Sequence, residues 1–366
     1  MSDLDNPTLL CDEALNDPYP IYRRMREHGC VYHDLIADAW CVLDLDLVRT
    51  VLQDSTGFSS HHLADRAEPV LGARVLAQMT GAEHTEKKAV TMHGLATVAM
   101  DGYHLPAVET AVTNLWERVK DAECLDLVEE PAGPSATNVT CELLGIDAQW
   151  KHKVLPWNRS VVQFITLLQQ TPDERSQRLA DAGYFRASML RLIETRRRSP
   201  RHDLVSYLVY ETLRSPTLEE SVTTGTGKIT DLPTETLRLH PPVQIIPRIA
   251  VGKQVLGGHS IPDGSTVYCL TGAAHRDPSF FPEPDKFILS RKENSVRSAF
   301  PPSAEHLAFG SGRHFCIGAM LARRQLETAF RASLSHFPEW RLAADPLTEH
   351  GLYTRGPSHL LPEKSI

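Results

Sequence analysis

A cysteine near residue 316 sits between two glycines and the start of an amphipathic stretch. The run is Phe309-Gly310-Ser311-Gly312-Arg313-His314-Phe315-Cys316-Ile317-Gly318, and Ala319-Met320-Leu321-Ala322-Arg323 follow. The chemistry open to it is that of a metal thiolate. A thiol must lose its proton before it binds a metal, and a helix start with cations beside it lowers the thiol pKa. Arg313 and His314 are the cationic pair. Gly310 and Gly312 permit a tight bulge, and Gly318 lets the backbone pass close to a flat macrocycle. Amides turned toward the sulfur would tune the potential of an iron held there. Such a thiolate could serve as an axial ligand to haem iron; the alternative is a buried free cysteine beside a Gly-rich turn.

A second group of residues could hold such a loop in place. In Thr234-Glu235-Thr236-Leu237-Arg238-Leu239-His240-Pro241-Pro242, Glu235 and Arg238 lie one helical turn apart on one face and can pair. Glu211-Thr212-Leu213-Arg214 repeats the spacing without a following His-Pro-Pro and reads as coincidence. Together the two stretches resemble the cytochrome P450 superfamily, with its ligand loop Phe-x-x-Gly-x-Arg-x-Cys-x-Gly and its Glu-x-x-Arg helix followed by His-Pro-Pro. The resemblance runs from about Asp17 to Pro362.

The resemblance implies a mainly α, P450-like fold with a small β-rich lobe, a single haem domain over residues 1–366, and haem b as cofactor. Cys316 would be the axial and only metal ligand, with Phe309, Gly310, Arg313, His314 and Gly318 around the cofactor. His84, Lys88 and Arg248 fall at the family's propionate-binding positions. Lys88 stands where the family commonly has arginine, which keeps the charge and loses the bidentate fork. Glu235 and Arg238 would be structural, locking the meander that shapes the cysteine loop; Lys286 and Arg291 are both candidates for the third member of that group. Val243, Gln244, Ile245, Ile246, the 61–82 region and Leu352-Tyr353-Thr354 would face substrate.

The elements that must carry these residues are legible in part. Asp17 suits a helix cap with Pro18 in the first turn. Residues 40–43 read as a strand, and a helix near Asp46 gives Val48, Val51 and Leu52 one face. Residues 61–82 read as loop, and a helix opens at Glu83. Val108, Ala111, Leu115 and Val119 recur at helical spacing, as do Val162, Ile165 and Leu168, and Leu179, Ala182, Met189 and Ile193. Arg196-Arg197-Arg198 reads as a solvated helix end. Residues 245–250 and 267–270 read as strands, with a turn over 258–264.

One feature of the family is not spelled out. Only 26 residues, 209–234, separate Leu208 from Glu235. The family places a long central helix there, carrying Ala/Gly-Gly-x-Asp/Glu-Thr; about thirty helical residues would span ~45 Å. Gly225, Gly227 and the neighbouring threonines oppose a helix. Dioxygen activation needs protons delivered by positioned side chains or water, so the expectation is that the usual relay is missing. Gly225-Thr226-Gly227-Lys228 is no phosphate loop, because Val222 replaces the first glycine and Ile229 the magnesium-binding hydroxyl.

Composition narrows the function further. The 366 residues are 42% apolar and 23% charged with a formal charge of −8, which excludes a general nucleic-acid binder. No apolar run is long enough for a bilayer, and the acidic start Met1-Ser2-Asp3 lacks signal-peptide character, so a cytoplasmic protein is expected. Seven cysteines without a CxxC pair support neither zinc nor a disulfide framework. Three functions fit: a monooxygenase tailoring a small apolar natural product with electrons from a ferredoxin and its reductase; a haem-thiolate enzyme of other chemistry (dehydration, cyclisation, rearrangement or peroxide use); and a non-catalytic activator of a partner enzyme.

Overall fold

The computed structural model describes residues 6–61, 64–72, 74–99, 133–167, 170–199, 231–288, 291, 300–302, 306–336, 340–342, 349–357 and 362–364, with isolated positions between 109 and 130. Its elements run α1 (Asp12–Asn16), α2 (Pro18–Glu27), β1 (Val31–Asp34), β2 (Ala39–Val42), α3 (Leu45–Gln53), β3 (Phe58–Ser59), α4 (Ala64–Leu71) and α5 (Gly81–Ala99). Then come α6 (Gly133–Leu144), α7 (Ala148–Thr166), α8 (Pro172–Arg198) and α9 (Asp231–Leu239), followed by β4 (Ile245–Ala250), β5 (Gln254–Leu256), β6 (His259–Ile261) and β7 (Thr266–Leu270). The C-terminal part holds α10 (Thr271–Ala274), α11 (Ala319–His336), β8 (Trp340–Leu342), β9 (Glu349–His350), β10 (Gly356–Pro357) and β11 (Pro362–Lys364). They divide between two compact units.

The first unit comprises residues 1–63, 227–320 and 347–358. Its sheet has the order β1-β2-β7-β4-β3, antiparallel except where β2 pairs with β7. Period-two alternation sends side chains to opposite faces. Ile245, Tyr268, Leu270 and Cys41 join Ile21, Tyr22 and Met25 of α2 in one core. Val42, Val267 and Cys269 join Leu45, Val48, Val51 and Leu52 of α3 in the other. Both helices start at aspartates, as their sequences require. Asp17 accepts from the Tyr19 amide, and Asp44 accepts from Asp46 and Leu47.

The second unit comprises residues 64–226, 321–346 and 359–366. Thr171 and Glu174 form a reciprocal cap at the start of α8, with Pro172 in the first turn. Ser160 of α7 donates to Asp181 of α8 at 2.7 Å, and Arg175 lies 4.4 Å over the Phe164 ring.

Several expectations shift here. The 61–82 region contains α4 and a 3-10 turn at Leu76–Gln78. Pro69 lies inside α4, where a proline removes a helical hydrogen bond, but Ala67 and Val70, one turn apart, are buried, Val70 with Val161, Phe164 and Ala182. The buried stripe of α7 is Val154, Trp157, Val161 and Phe164 rather than the neighbouring Val162 and Ile165. Adjacent apolar pairs leave the phase open, and the larger rings take the inside. Along α8, Ala182 is buried, Met189 and Ile193 pack against the Cys141 core, and Leu179 is exposed. Arg196 is not solvated: it is fully buried and donates to the Gly145 carbonyl at the end of the 133–144 helix. Arg198 is exposed and pairs with Glu194. Residues 259–261, expected as part of a turn, form β6. Leu168, the 108/111/115/119 stripe and residues 209–230 of the shortened segment lie outside the described residues.

Candidate active site

The cysteine loop is built by short backbone bonds. Gly310 N donates to Leu307 O, Phe315 N to Gly312 O over a 3-10 turn, and Cys316 N to Phe309 O at 2.9 Å, which closes the loop. Gly310 and Gly312 have φ of 74° and 67°, in the left-handed region that favours glycine. A Cβ on Gly312 would lie 2.9 Å from Gln53 Cα and 3.0 Å from Leu52 O, so the loop sits backbone-to-backbone on the end of α3. Phe309 packs against Phe300 and Phe315. Cys316 is exposed, just ahead of α11, and a Cβ on Gly318 would lie 3.8 Å from its sulfur. Counted back from Cys316, the position that the family pattern gives to arginine is His314, with Arg313 one residue earlier. His314 Nε2 lies 3.3 Å from Ser60 Oγ, and Arg313 is exposed.

Arg248 tests whether these residues fit haem. It is 6% exposed on β4, and its one hydrogen bond among the described residues is to the adjacent Pro247 carbonyl. No described carboxylate pairs with it. Burial pushes its guanidinium pKa down. A buried cation without a counter-ion is costly unless a ligand supplies one. Ile246, on the same face of the strand two residues away, comes within 3.9 Å of a Cβ placed on Gly310. A thiol and a buried guanidinium with no carboxylate partner among the described residues, on neighbouring segments, suit an iron porphyrin, which offers a metal and carboxylates.

His84 and Lys88 belong to the second unit and lie one turn apart on α5. His84 is 2% exposed, and Lys88 is half-buried.

The Glu-x-x-Arg pair is completed by Arg291. Glu235 accepts both Nε and NH2 of Arg238 at 2.8 Å, Arg291 Nε at 3.1 Å and the Ile288 amide at 3.0 Å. Arg238 also donates to the carbonyls of His275, Pro284 and Lys286, and Arg291 to those of Pro282, Glu283 and Lys286. Lys286 contributes its carbonyl here, while its ammonium pairs with Glu283 at the surface. Burial raises the Glu235 pKa, but the Arg238, Ile288 and Arg291 bonds outweigh it and hold the carboxyl below its usual range.

Two histidines escaped the sequence reading. His275 Nε2 accepts the Leu307 amide at 2.7 Å, so its proton is on Nδ1, which faces the Arg238 carbonyl at 3.1 Å. His306 stacks edge-on to it at 5.3 Å and accepts the Ala308 amide at Nδ1. Residues 306–308 lead directly into Phe309, so this pair anchors the entry to the loop. His275 falls in Ala273-Ala274-His275-Arg276-Asp277-Pro278, which resembles the family's segment before the meander, but that resemblance gives neither histidine a role.

The residues expected to face substrate divide. Gln244 is fully buried, donating to Tyr19 Oη and the Pro241 carbonyl. Ile245 and Tyr353 lie in the core beside Tyr268. Val243 is 37% exposed and bridges to Thr354, and Ile246 is half-buried near the cysteine loop. Alternation along the strand separates Ile245 from Ile246.

Comparisons with known proteins define the class and then the family. The solved structure of CYP109E1 from Bacillus megaterium, in complex with testosterone, shares the fold with a TM-score of 0.76 at 22% identity, covering 96% of this chain and all of that one. A P450 named CREJ reaches a TM-score of 0.82 at 20% identity, with 96% and 98% covered. The cytochrome P450 family profile matches residues 233–364. Pulcherriminic acid synthase of Bacillus subtilis is 32% identical over 97% of this chain and 96% of its own length. The 6-deoxyerythronolide B hydroxylase of Saccharopolyspora erythraea is 29% identical over 70% and 69%. The chain belongs to the cytochrome P450 superfamily. It is a P450-type oxidoreductase whose cofactor is haem b. Among the described residues, no helix is long and apolar enough to cross a membrane.

Proposed function

We propose that this P450 is a cytoplasmic monooxygenase that tailors a small apolar natural product, with Cys316 as the axial thiolate and a ferredoxin and reductase as electron donors. The observation that carries the site is the closed cysteine loop together with the buried Arg248, which pairs with no carboxylate among the described residues. Haem, when bound, supplies a redox-active iron able to activate dioxygen. This chain's residues do the rest: Cys316 binds the iron, and Arg248, Arg313 and His314, with His84 and Lys88, neutralise the carboxylates. Phe309, Gly310 and Gly318 leave room for the macrocycle, Glu235 and Arg238 hold the loop, and Val243 and Ile246 contact substrate. The whole chain is read as one haem domain. Relatives named as pulcherriminic acid synthase and 6-deoxyerythronolide B hydroxylase support natural-product tailoring as the reaction class. Cys316→Ala should abolish the red-shifted ferrous–CO band of the purified protein. A mutant that keeps the band, or a wild type that binds no haem after supplementation, overturns the ligand assignment.

A second reading, a haem-thiolate enzyme of other chemistry, has one observation in its favour. No acid–threonine pair in residues 209–234 follows an Ala/Gly-Gly step: Glu211-Thr212 is preceded by Val209-Tyr210. The alignment with pulcherriminic acid synthase also runs over 393 positions, more than the 366 residues of this chain, so that relative carries residues this one lacks. With ferredoxin, reductase and NADPH in air, this reading expects reducing equivalents to appear as peroxide or superoxide. NADPH use tightly coupled to an oxygenated organic product rules it out. Nothing in the structure favours a non-catalytic activator.

A further inference from the structure

The cysteine loop is held from outside at two points by one segment. Gln53, the last residue of α3, donates from Nε2 to Ser311 Oγ at 3.0 Å. Ser311 is 6% exposed, so that hydroxyl is largely shielded from water. Seven residues later, Ser60 Oγ lies 3.3 Å from His314 Nε2. Between these two anchors, Gly312 rests on the backbone of Leu52 and Gln53 with no room for a Cβ. The loop's own closure depends on the single Cys316 N–Phe309 O bond at its neck. Ser311 and His314 precede Cys316 by five and two residues, so movement at either is carried to Cys316.

We propose that Gln53 and Ser60 are positioning residues for the thiolate: they clamp the 311–314 turn and thereby keep the Cys316 sulfur in its ligating position. The inference rests on Cys316 being the haem ligand. Neither residue touches the cofactor in this account, since each acts through the loop. Gln53 contributes its side-chain amide, and its Cα seats Gly312. Loss of one such buried hydrogen bond changes an equilibrium by about five-fold. The change should appear in how readily the thiolate-ligated form converts to one without thiolate, not in haem content.

The test uses the haem-loaded protein and compares wild type with Gln53→Met, Ser311→Ala and the double variant. The readouts are the rate at which the red-shifted ferrous–CO band is lost in mild denaturant and the midpoint potential of the haem. Each single variant should lose the band about five-fold faster at unchanged haem content, and the double variant should be no worse than either single one, because both remove the same bond. Ser60→Ala should act in the same direction. Rates equal to wild type, or single effects that simply add in the double variant, overturn the proposal. If Gln53→Met folds poorly, hydrogen exchange of the Cys316 amide in Ser311→Ala provides the same answer: faster exchange is expected, and unchanged protection counts against the clamp. Failure of the underlying ligand assignment is recognised separately, since wild type itself would then lack the red-shifted band.

Discussion

Glu235→Gln is expected to destabilise the protein by about 3–5 kcal/mol, the cost of leaving buried charge without its partner. The Glu235 carboxylate has no exposure and faces two guanidiniums that are 0% and 3% exposed. Its Oε1 accepts from Arg238, Arg291 and the Ile288 amide, while Oε2 takes Arg238 Nε. An amide of the same shape keeps one acceptor and turns a donor toward the guanidinium fork. The negative charge that offsets two buried cations is gone. Both arginines also gather carbonyls from residues 275 and 282–286, so their displacement loosens the segment leading to the cysteine loop. Against a typical total stability of about 5–15 kcal/mol, the loss is large. Urea unfolding followed by far-ultraviolet circular dichroism measures it. Glu283→Ala, which breaks an exposed pair with Lys286, is the control and should change stability by less than about 1 kcal/mol. A Glu235→Gln protein as stable as that control would show that the buried group is not what holds this part of the fold.

The sequence made the ligand loop legible because its requirements are local. A thiol, left-handed glycines and cations must follow one another within ten residues, and they do. The Glu235–Arg238 pair is local in the same sense, as is the cap at Asp17; the helix read as starting near Asp46 is capped two residues earlier, by Asp44. What escaped depends on distant partners. The parallel pairing of residues 39–42 with 266–269 has no local signature, although it sets which faces of the sheet are buried. Choosing Arg291 over Lys286 needed the positions of five carbonyls and one carboxylate, not a spacing. Gln244 resembles a pocket-lining polar residue among apolar neighbours, but the Tyr19 hydroxyl and the Pro241 carbonyl satisfy it inside the core. Gly272 exists for the same reason: a Cβ there would strike the Gln244 side chain at 1.9 Å. The neutral tautomer of His275 was invisible for the same cause, since it is fixed by the Leu307 amide, far along the chain.

Those two histidines predict acid lability in a defined window. Burial, then the neighbouring His306 and Arg238 charges, holds the His275 pKa well below its ordinary value. Burial, then Arg238, takes that of His306 down to about 3, with Glu235 pulling weakly the other way. In the unfolded chain each would titrate near about 6.5. Above that value both states are neutral and nothing is lost. Between about 6.5 and the folded pKa, the unfolded state binds a proton that the native state refuses, so stability falls as pH falls, by about 1.4 kcal/mol per pH unit for each histidine. At pH 4.5 the penalty from His306 alone is about 3 kcal/mol. Glu235, whose folded pKa is depressed, adds its own loss as pH falls through about 4.3, the unfolded carboxyl value, so the histidines act alone between about pH 6.5 and 5 and the losses overlap below that. Protonating His275 Nε2 would set an N–H against the Leu307 amide, two residues before Phe309 opens the cysteine loop. Unfolding free energies measured by urea should therefore be nearly flat above about pH 6.5 and decline below it, with these two histidines bringing the slope toward two protons by about pH 5. His306→Phe keeps a ring against His275 and should reduce that slope by about one proton, with the red-shifted ferrous–CO band surviving to lower pH than in wild type. A slope unchanged by that substitution would mean that His306 is already protonated in the native protein, contrary to its burial beside Arg238.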